Sequence, residues 1–209
     1  KIARKMLDEA GFNDWPIIAS NALDEYIIRD TIAQGAKVDI FGVGERLITS
    51  KSEPVFGGVY KLVAVEDNGQ IIPKIKISEN VSKITNPGFK QVYRLIGRDT
   101  NKAIADVITL ADEVIDDTRD YEIFDPEHTW KRKIVTDFYA QKLLVKIFDK
   151  GKCIYNSPEL DEIRNYCKQQ IEMLWDEVLR FENPHNYYVD LSKPLWDIKQ
   201  RLLQEYAMK

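Results

Sequence analysis

Residues 15–44 read WPIIASNALDEYIIRDTIAQGAKVDIFGVG. WPIIAS is a short apolar run, as in a buried strand. LDEYIIRDTIAQG then puts Leu23, Ile27, Thr31 and Ile32 on one face, with Asp24 and Glu25 at its positive end and Gly35 as its stop. Ser20 and Asn21 are expected to cap this helix. KVDIF, residues 37–41, is a second strand. Strand, helix and strand within about 30 residues make a βαβ unit with parallel neighbouring strands. Ligands of such units gather at the C-terminal strand ends, which here carry Ser20, Asn21, Gly42, Val43 and Gly44. Glycines there let a backbone approach a ligand and turn its N–H groups toward an anion. On the motif alone, a tight turn out of a strand accounts for the same pair.

Working outward, KIARKMLDEAGF at residues 1–12 has a helical pattern stopped at Gly11. A chain that opens inside a helix, on lysine, reads as a piece cut from a longer protein. After Pro54 the character changes. GGVYKLVAVE, IIPKIKIS, KQVYRLIG and IADVITLA are short β-rich runs separated by DNG, NPG and RDTN. Asp67-Asn68-Gly69 signals a hairpin and Asn86-Pro87-Gly88 a turn. Lys61, Lys74, Lys76, Lys83, Lys90 and Arg94 cluster in this block, and Lys74 and Lys76 would share one strand face. Without further information each is a solvated strand residue. Residues 127–150, with Ile134, Phe138, Leu143, Leu144 and Ile147, predict a helix. Ser157-Pro158-Glu159 opens another, with Ser157 as cap, an apolar stripe of Ile163, Cys167, Ile171, Leu174 and Val178, and Asn183-Pro184 as its stop. Cys167 is thereby a core residue. SKPLWDIKQRLLQEY closes the chain with Leu195, Ile198, Leu202 and Tyr206 on one side.

Composition bounds the possibilities. The 209 residues are 44% hydrophobic and 31% charged, with a net charge of -4. That is ordinary globular composition, with no basic run to suggest nucleic acid as a partner. No apolar stretch approaches the ~18 residues of a membrane span. Cys153 and Cys167, the two cysteines, suit a reducing cytoplasm and have no metal-ligand spacing; His128 and His185 are isolated.

Together, SNALDE, FGVGERLITS, FGGVYKLVAVE, KISENVSKITNPGFKQVYR and HNYYVDLS with its following Leu-Trp resemble, in order and spacing, the second half of nicotinate phosphoribosyltransferases. The resemblance implies an enzyme joining nicotinic acid to phosphoribosyl pyrophosphate. The products are nicotinate mononucleotide and pyrophosphate, on the way to NAD, with ATP hydrolysis coupled and Mg2+ accompanying the pyrophosphate. It implies an α/β fold with α+β additions in three parts. Residues 1–57 would be the last βα units of an irregular (β/α) barrel, 58–126 an antiparallel β-rich segment of an α/β sandwich domain, and 127–209 a mainly helical C-terminal region. The family acts as a cytoplasmic homodimer, with active sites at the subunit boundary.

By motif, Ser20 and Asn21 fall where the family contacts the ribose and its 5′-phosphate, and Gly42 and Gly44 where it has a phosphate-binding turn. Lys61 and Lys76 fall near lysines that meet pyrophosphate or ATP phosphates in related enzymes. Lys83, Lys90 and Arg94 would complete an electropositive rim. Glu45 stands where many members have threonine; it is expected to point away and pair with Arg46 or Lys51, leaving the anion to main-chain N–H groups. The family's nicotinate-binding residues, its reaction-centre histidine and its acidic ribose motif have no counterpart here. The missing N-terminal half would supply them, and the isolated chain is expected to have negligible turnover. The competing reading is a non-catalytic phosphate- or nucleotide-binding α+β module that dimerises through its helical tail.

Overall fold

The fold comes from a computed structural model that describes residues 1–55 and 57–207; Phe56 of the FGGVYKLV stretch lies outside them. The chain divides into two compact units, Lys1–Tyr60 and Lys61–Lys209.

The first unit contains α1 (Ile2–Glu9), β1 (Ile18–Ser20), α2 (Glu25–Ala33), β2 (Ile40–Gly42) and the single turn α3 (Glu45–Ile48). β1 and β2 are parallel, with Ile18 opposite Ile40 and Ser20 opposite Gly42, so the expected βαβ unit is present. Both strands are shorter than their apolar runs, and Gly42 ends β2 rather than lying in the turn beyond it. Arg4 ties α1 to the approach to β1, donating to the carbonyls of Phe12 and Trp15. Asp39 accepts from the amide of Ile17, fixing the two strand starts together. The cap of α2 differs from expectation. Asp24 accepts from the Ile27 amide at 2.9 Å, while Asn21 and Ala22 take positive φ angles of 105° and 49°. The chain turns twice before the helix starts, which moves the cap from Ser20 and Asn21 to the next cap-forming side chain, Asp24. Gly35, at φ 74°, ends α2 as expected.

The second unit opens with the hairpin β3 (Ala64–Asp67) and β4 (Gln70–Pro73). Asp67 pairs with Gln70 across a two-residue loop, Asn68-Gly69, with both φ angles positive. Lys74 and Lys76 lie beyond the end of β4, not on a strand face. After a 3-10 turn at Val81–Lys83 come the two long strands, β5 (Lys90–Gly97) and β6 (Ala103–Leu110). They are antiparallel, with Arg94 opposite Asp106. β7 (Tyr121–Phe124) pairs with β8 (Arg132–Val135), and β9 (Phe138–Lys142) pairs with β5.

Residues 127–150 are therefore strands and not a helix. Val135 and Phe138 are buried, and Asp137 between them sits at φ 46°, a break that no helix accommodates. A two-residue hairpin follows, β10 (Phe148–Asp149) with β11 (Lys152–Cys153), then α4 (Leu160–Glu172), β12 (Val189–Leu191) and α5 (Lys193–Ala207). β12 joins the main sheet parallel to β6, giving the order β12-β6-β5-β9. Strands from either side of residue 126 thus share one sheet, so the expected boundary between a β-rich segment and a helical region does not separate two bodies. The described strands form two- and four-stranded sheets in a mixed α/β fold, and none closes into a barrel.

The core lies on this sheet and the β7–β8 hairpin: Tyr93, Leu95, Ala105, Val107, Ile115, Ile123, Val135 and Phe138. Leu195 and Leu202 bring α5 into the buried set, so the tail's apolar side is used inside the chain. α4 does the opposite. Glu159, not Ser157, caps it in a reciprocal box with Glu162, and it ends at Glu172, well short of Asn183. None of its residues is buried, and Cys167, expected in the core, is exposed.

Candidate functional site: the strand ends and the lysines

Parallel pairing sends the loops after β1 and β2 off the same edge. Ser20 and Gly42 are register partners, and the Ser20 hydroxyl donates to the Gly42 carbonyl at 3.3 Å. A Cβ at position 42 would stand 3.3 Å from that hydroxyl oxygen, so glycine suits the close approach of the two ends. Asn21 follows Ser20 directly, and Gly44 precedes the first residue of α3. The four residues singled out by sequence are thus gathered at one edge. The start of α2 is already filled by its own carboxylate, Asp24. An anion at this edge would meet the Gly42–Gly44 backbone and the Ser20 hydroxyl instead. Beside the edge is a hollow of about 230 Å³ lined by Asp24, Glu25, Tyr26, Arg46, Lys51 and Ser52. Glu45 is exposed. Arg46 forms its ion pair with Asp24, not with Glu45, which has no ion-pair partner among the described residues.

The cations of the second unit differ sharply from one another. Lys61, Lys76 and Lys83 are exposed, and their ammonium groups have no partner among the described residues. The Lys76 main chain is held by Thr85, whose hydroxyl accepts from its amide at 2.9 Å. Lys90 is half-buried and donates to the carbonyls of Asn86 (2.8 Å) and Gly88 (2.7 Å), closing the NPG turn. Burial holds its pKa below the usual lysine value. Arg94 makes a two-pronged pair with Asp106, at 2.9 and 3.0 Å. It also donates to Gln170 of α4 and lies 5.8 Å from the ring centre of Tyr187, whose hydroxyl donates to Asp106. Donating to the Asp106 carboxylate keeps Arg94 firmly charged. The charges of Lys90 and Arg94 are therefore engaged inside the fold.

Sequence reading named Asp24 and Arg46 without making the first a cap or pairing the two, and missed Asp106, Gln170 and Tyr187. One signal was available for the first: a carboxylate three residues before Ile27 is a helix cap as good as Ser20 or Asn21. Outside these groups, a cavity of about 740 Å³ in the second unit is lined by Asn86, His128, Trp196, Lys199 and Gln200 among others. Lys199 donates to Asn86 there, and His128 stands 3.0 Å from Asp125. Asp190, on β12, is buried, and burial together with the charge of Asp125 pushes its carboxyl up to about 6.

Residues 89–199, just over half of the chain, match the family described as nicotinate phosphoribosyltransferase C-terminal domain. The chain belongs to the nicotinate phosphoribosyltransferase family. It is 45% identical over 98% of its length to the nicotinate phosphoribosyltransferase of Bacillus subtilis (strain 168), covering 42% of that protein. With the nicotinate phosphoribosyltransferase of Dictyostelium discoideum it shares 34% identity over 97% of its length and 36% of that protein. A crystal structure of human nicotinic acid phosphoribosyltransferase superposes with a TM-score of 0.71 at 26% identity, covering 97% of this chain and 36% of the human one. The chain therefore spans about two fifths of the length of these relatives. Membership of the nicotinate phosphoribosyltransferase family does not favour the stand-alone, non-catalytic module.

Proposed function

We propose that the complete protein to which this chain belongs is a nicotinate phosphoribosyltransferase. It joins nicotinic acid to phosphoribosyl pyrophosphate, releases pyrophosphate, couples the reaction to ATP hydrolysis, and feeds NAD synthesis in the cytoplasm as a homodimer. The observation that carries the reading is the likeness to the Bacillus subtilis enzyme across nearly the whole chain. The gathering of Ser20, Asn21, Gly42 and Gly44 at one strand edge supports it.

In this reaction the anomeric C–O bond breaks, positive charge grows on the ribose, and negative charge grows on departing pyrophosphate. In this reading Ser20 and Asn21 contact the ribose 5′-phosphate, and amides of the Gly42–Gly44 turn hold it. Fixing that end aims the ribose carbon at the nicotinate nitrogen. Lys61, Lys76 and Lys83, whose ammonium groups have no partner within the described fold, are the groups to stabilise the departing anion. Lys90 and Arg94 keep their structural partners. Magnesium supplies charge to pyrophosphate when bound. Among the described residues no three His, Cys, Asp or Glu side chains converge as a metal site, so no step here is assigned to the ion through this chain. No described helix is long and apolar enough to cross a membrane.

Nicotinate mononucleotide formation, measured for the complete gene product and for the 209-residue chain with ATP and Mg2+, tests the proposal. Turnover by the complete product and none by the chain is expected. An inactive complete product, or one active on a different base only, overturns it.

A further inference from the structure

We infer that the Asp24–Arg46 ion pair is a positioning clamp: it locks the loop leaving β1 onto the turn leaving β2, so that Ser20, Gly42 and Gly44 hold one geometry toward an anion. The inference rests on the phosphate-site reading above.

The loop between Ser20 and Asp24 is strained. Asn21 and Ala22 are consecutive L residues at φ 105° and 49°, a conformation that persists only where the surroundings enforce it. Leu23, in this loop, is 9% exposed and is the buried hydrophobic residue of this unit among the described residues. Asp24 pins the end of the loop. One carboxylate oxygen, Oδ1, accepts from the Ile27 amide and starts α2. The other, Oδ2, pairs with Nη1 of Arg46, two residues past Gly44 on α3. The pair is partly shielded, with side-chain exposures of 17% for Asp24 and 33% for Arg46, so water screens it less than a surface pair. The Ser20–Gly42 hydrogen bond is the second link between the same two loops. A long cation and a carboxylate thus bridge two segments 22 residues apart, directly beside the edge.

Arg46 has a rival role: a direct ligand of the phosphate, with Asp24 competing for it. The two roles give opposite signs in one variant. Asp24→Asn keeps a cap oxygen for Ile27, since asparagine caps helices as well as aspartate, but removes the charge that holds Arg46. Under the clamp this loosens the turn and weakens binding. Under direct ligation it releases Arg46 and strengthens binding.

The test uses the complete gene product with Asp24→Asn, Arg46→Met and the double substitution. Each single variant is expected to raise KM for phosphoribosyl pyrophosphate about tenfold, because small displacements at a positioned anion cost that much or more. KM for nicotinic acid should stay within about twofold, and the double variant should be no worse than Arg46→Met, because both break one link. Amide hydrogen exchange of residues 43–46, measured without substrate, should quicken in all three. A lowered KM in Asp24→Asn, or unchanged exchange in both single variants, overturns the clamp. Quicker exchange with unchanged KM for phosphoribosyl pyrophosphate leaves the clamp standing and overturns the phosphate reading beneath it.

Discussion

Lys61 and Lys90 carry the same charge into different surroundings, and their substitution should separate binding from folding. Lys90→Met removes two charge-assisted hydrogen bonds from the half-buried Asn86–Gly88 turn. It should lower unfolding free energy by about 1–3 kcal/mol in denaturant titration. Lys61→Met removes an exposed ammonium with no partner among the described residues and should stay within about 0.5 kcal/mol of the parent. Under the proposed function, the same substitution in the complete protein should raise KM for phosphoribosyl pyrophosphate. Equal destabilisation by both would remove the distinction. Asp190 supplies a pH dependence. Its folded pKa of about 6 lies above the ordinary 3.8, so the native state binds a proton more tightly than the unfolded state. Its contribution to stability is present below about pH 4 and is lost as pH rises through 6. The stability of the parent relative to Asp190→Asn should therefore fall by about 2–3 kcal/mol between those values and stay flat above. A difference that rises with pH would show that the carboxylate is stabilised as an anion instead.

At the scale of elements, one register decides the most. Arg94 on β5 stands opposite Asp106 on β6, and the side chains are only 15% and 12% exposed. Gln170 of α4 and Tyr187 ahead of β12 complete the group. Losing either charge leaves the other buried and unpaired. Arg94→Met should cost about 3–5 kcal/mol, and Arg94→Met with Asp106→Leu markedly less, as measured by thermal unfolding. Arg94→Lys should also destabilise, since an ammonium cannot reproduce the two-pronged fork. Equal losses for the single and double variants would mean that the pair has no coupling. None of this was visible in the sequence: the four residues span 93 positions, and only pairing brings them together. The segment 127–150 shows the converse error. Its apolar spacing fits a helix loosely, but β-branched and aromatic residues around a left-handed Asp137 fit two strands better.

Over the whole molecule, burial is uneven. The second unit has a contiguous core with Leu95, Val107 and Phe138 fully enclosed. In the first, Leu23 is the buried hydrophobic among the described residues, while Ile18, Ile40 and Ile48 are 62%, 48% and 84% exposed. Local opening should follow that contrast. In the 209-residue chain, amides of β1 and β2 should exchange faster than those of β5 and β6 by about two orders of magnitude or more. Equal protection across the two units would contradict it.

The sequence by itself determined the βαβ unit, the Asn68-Gly69 hairpin, the long strands of the main sheet and the family. Each rests on residues close together in the chain: apolar period, turn glycines, an ordered string of motifs. It also named Ser20 and Gly42, which meet at one strand edge, and Asn21 and Gly44, which follow just beyond it. Only the tertiary structure decided which of three cap-forming residues starts α2, which cations stay available and which are neutralised, and that α4 shows its apolar stripe to solvent. Those outcomes depend on partners distant in the chain. A lysine or a carboxylate has no fixed role until packing sets its distance from opposite charge and from water.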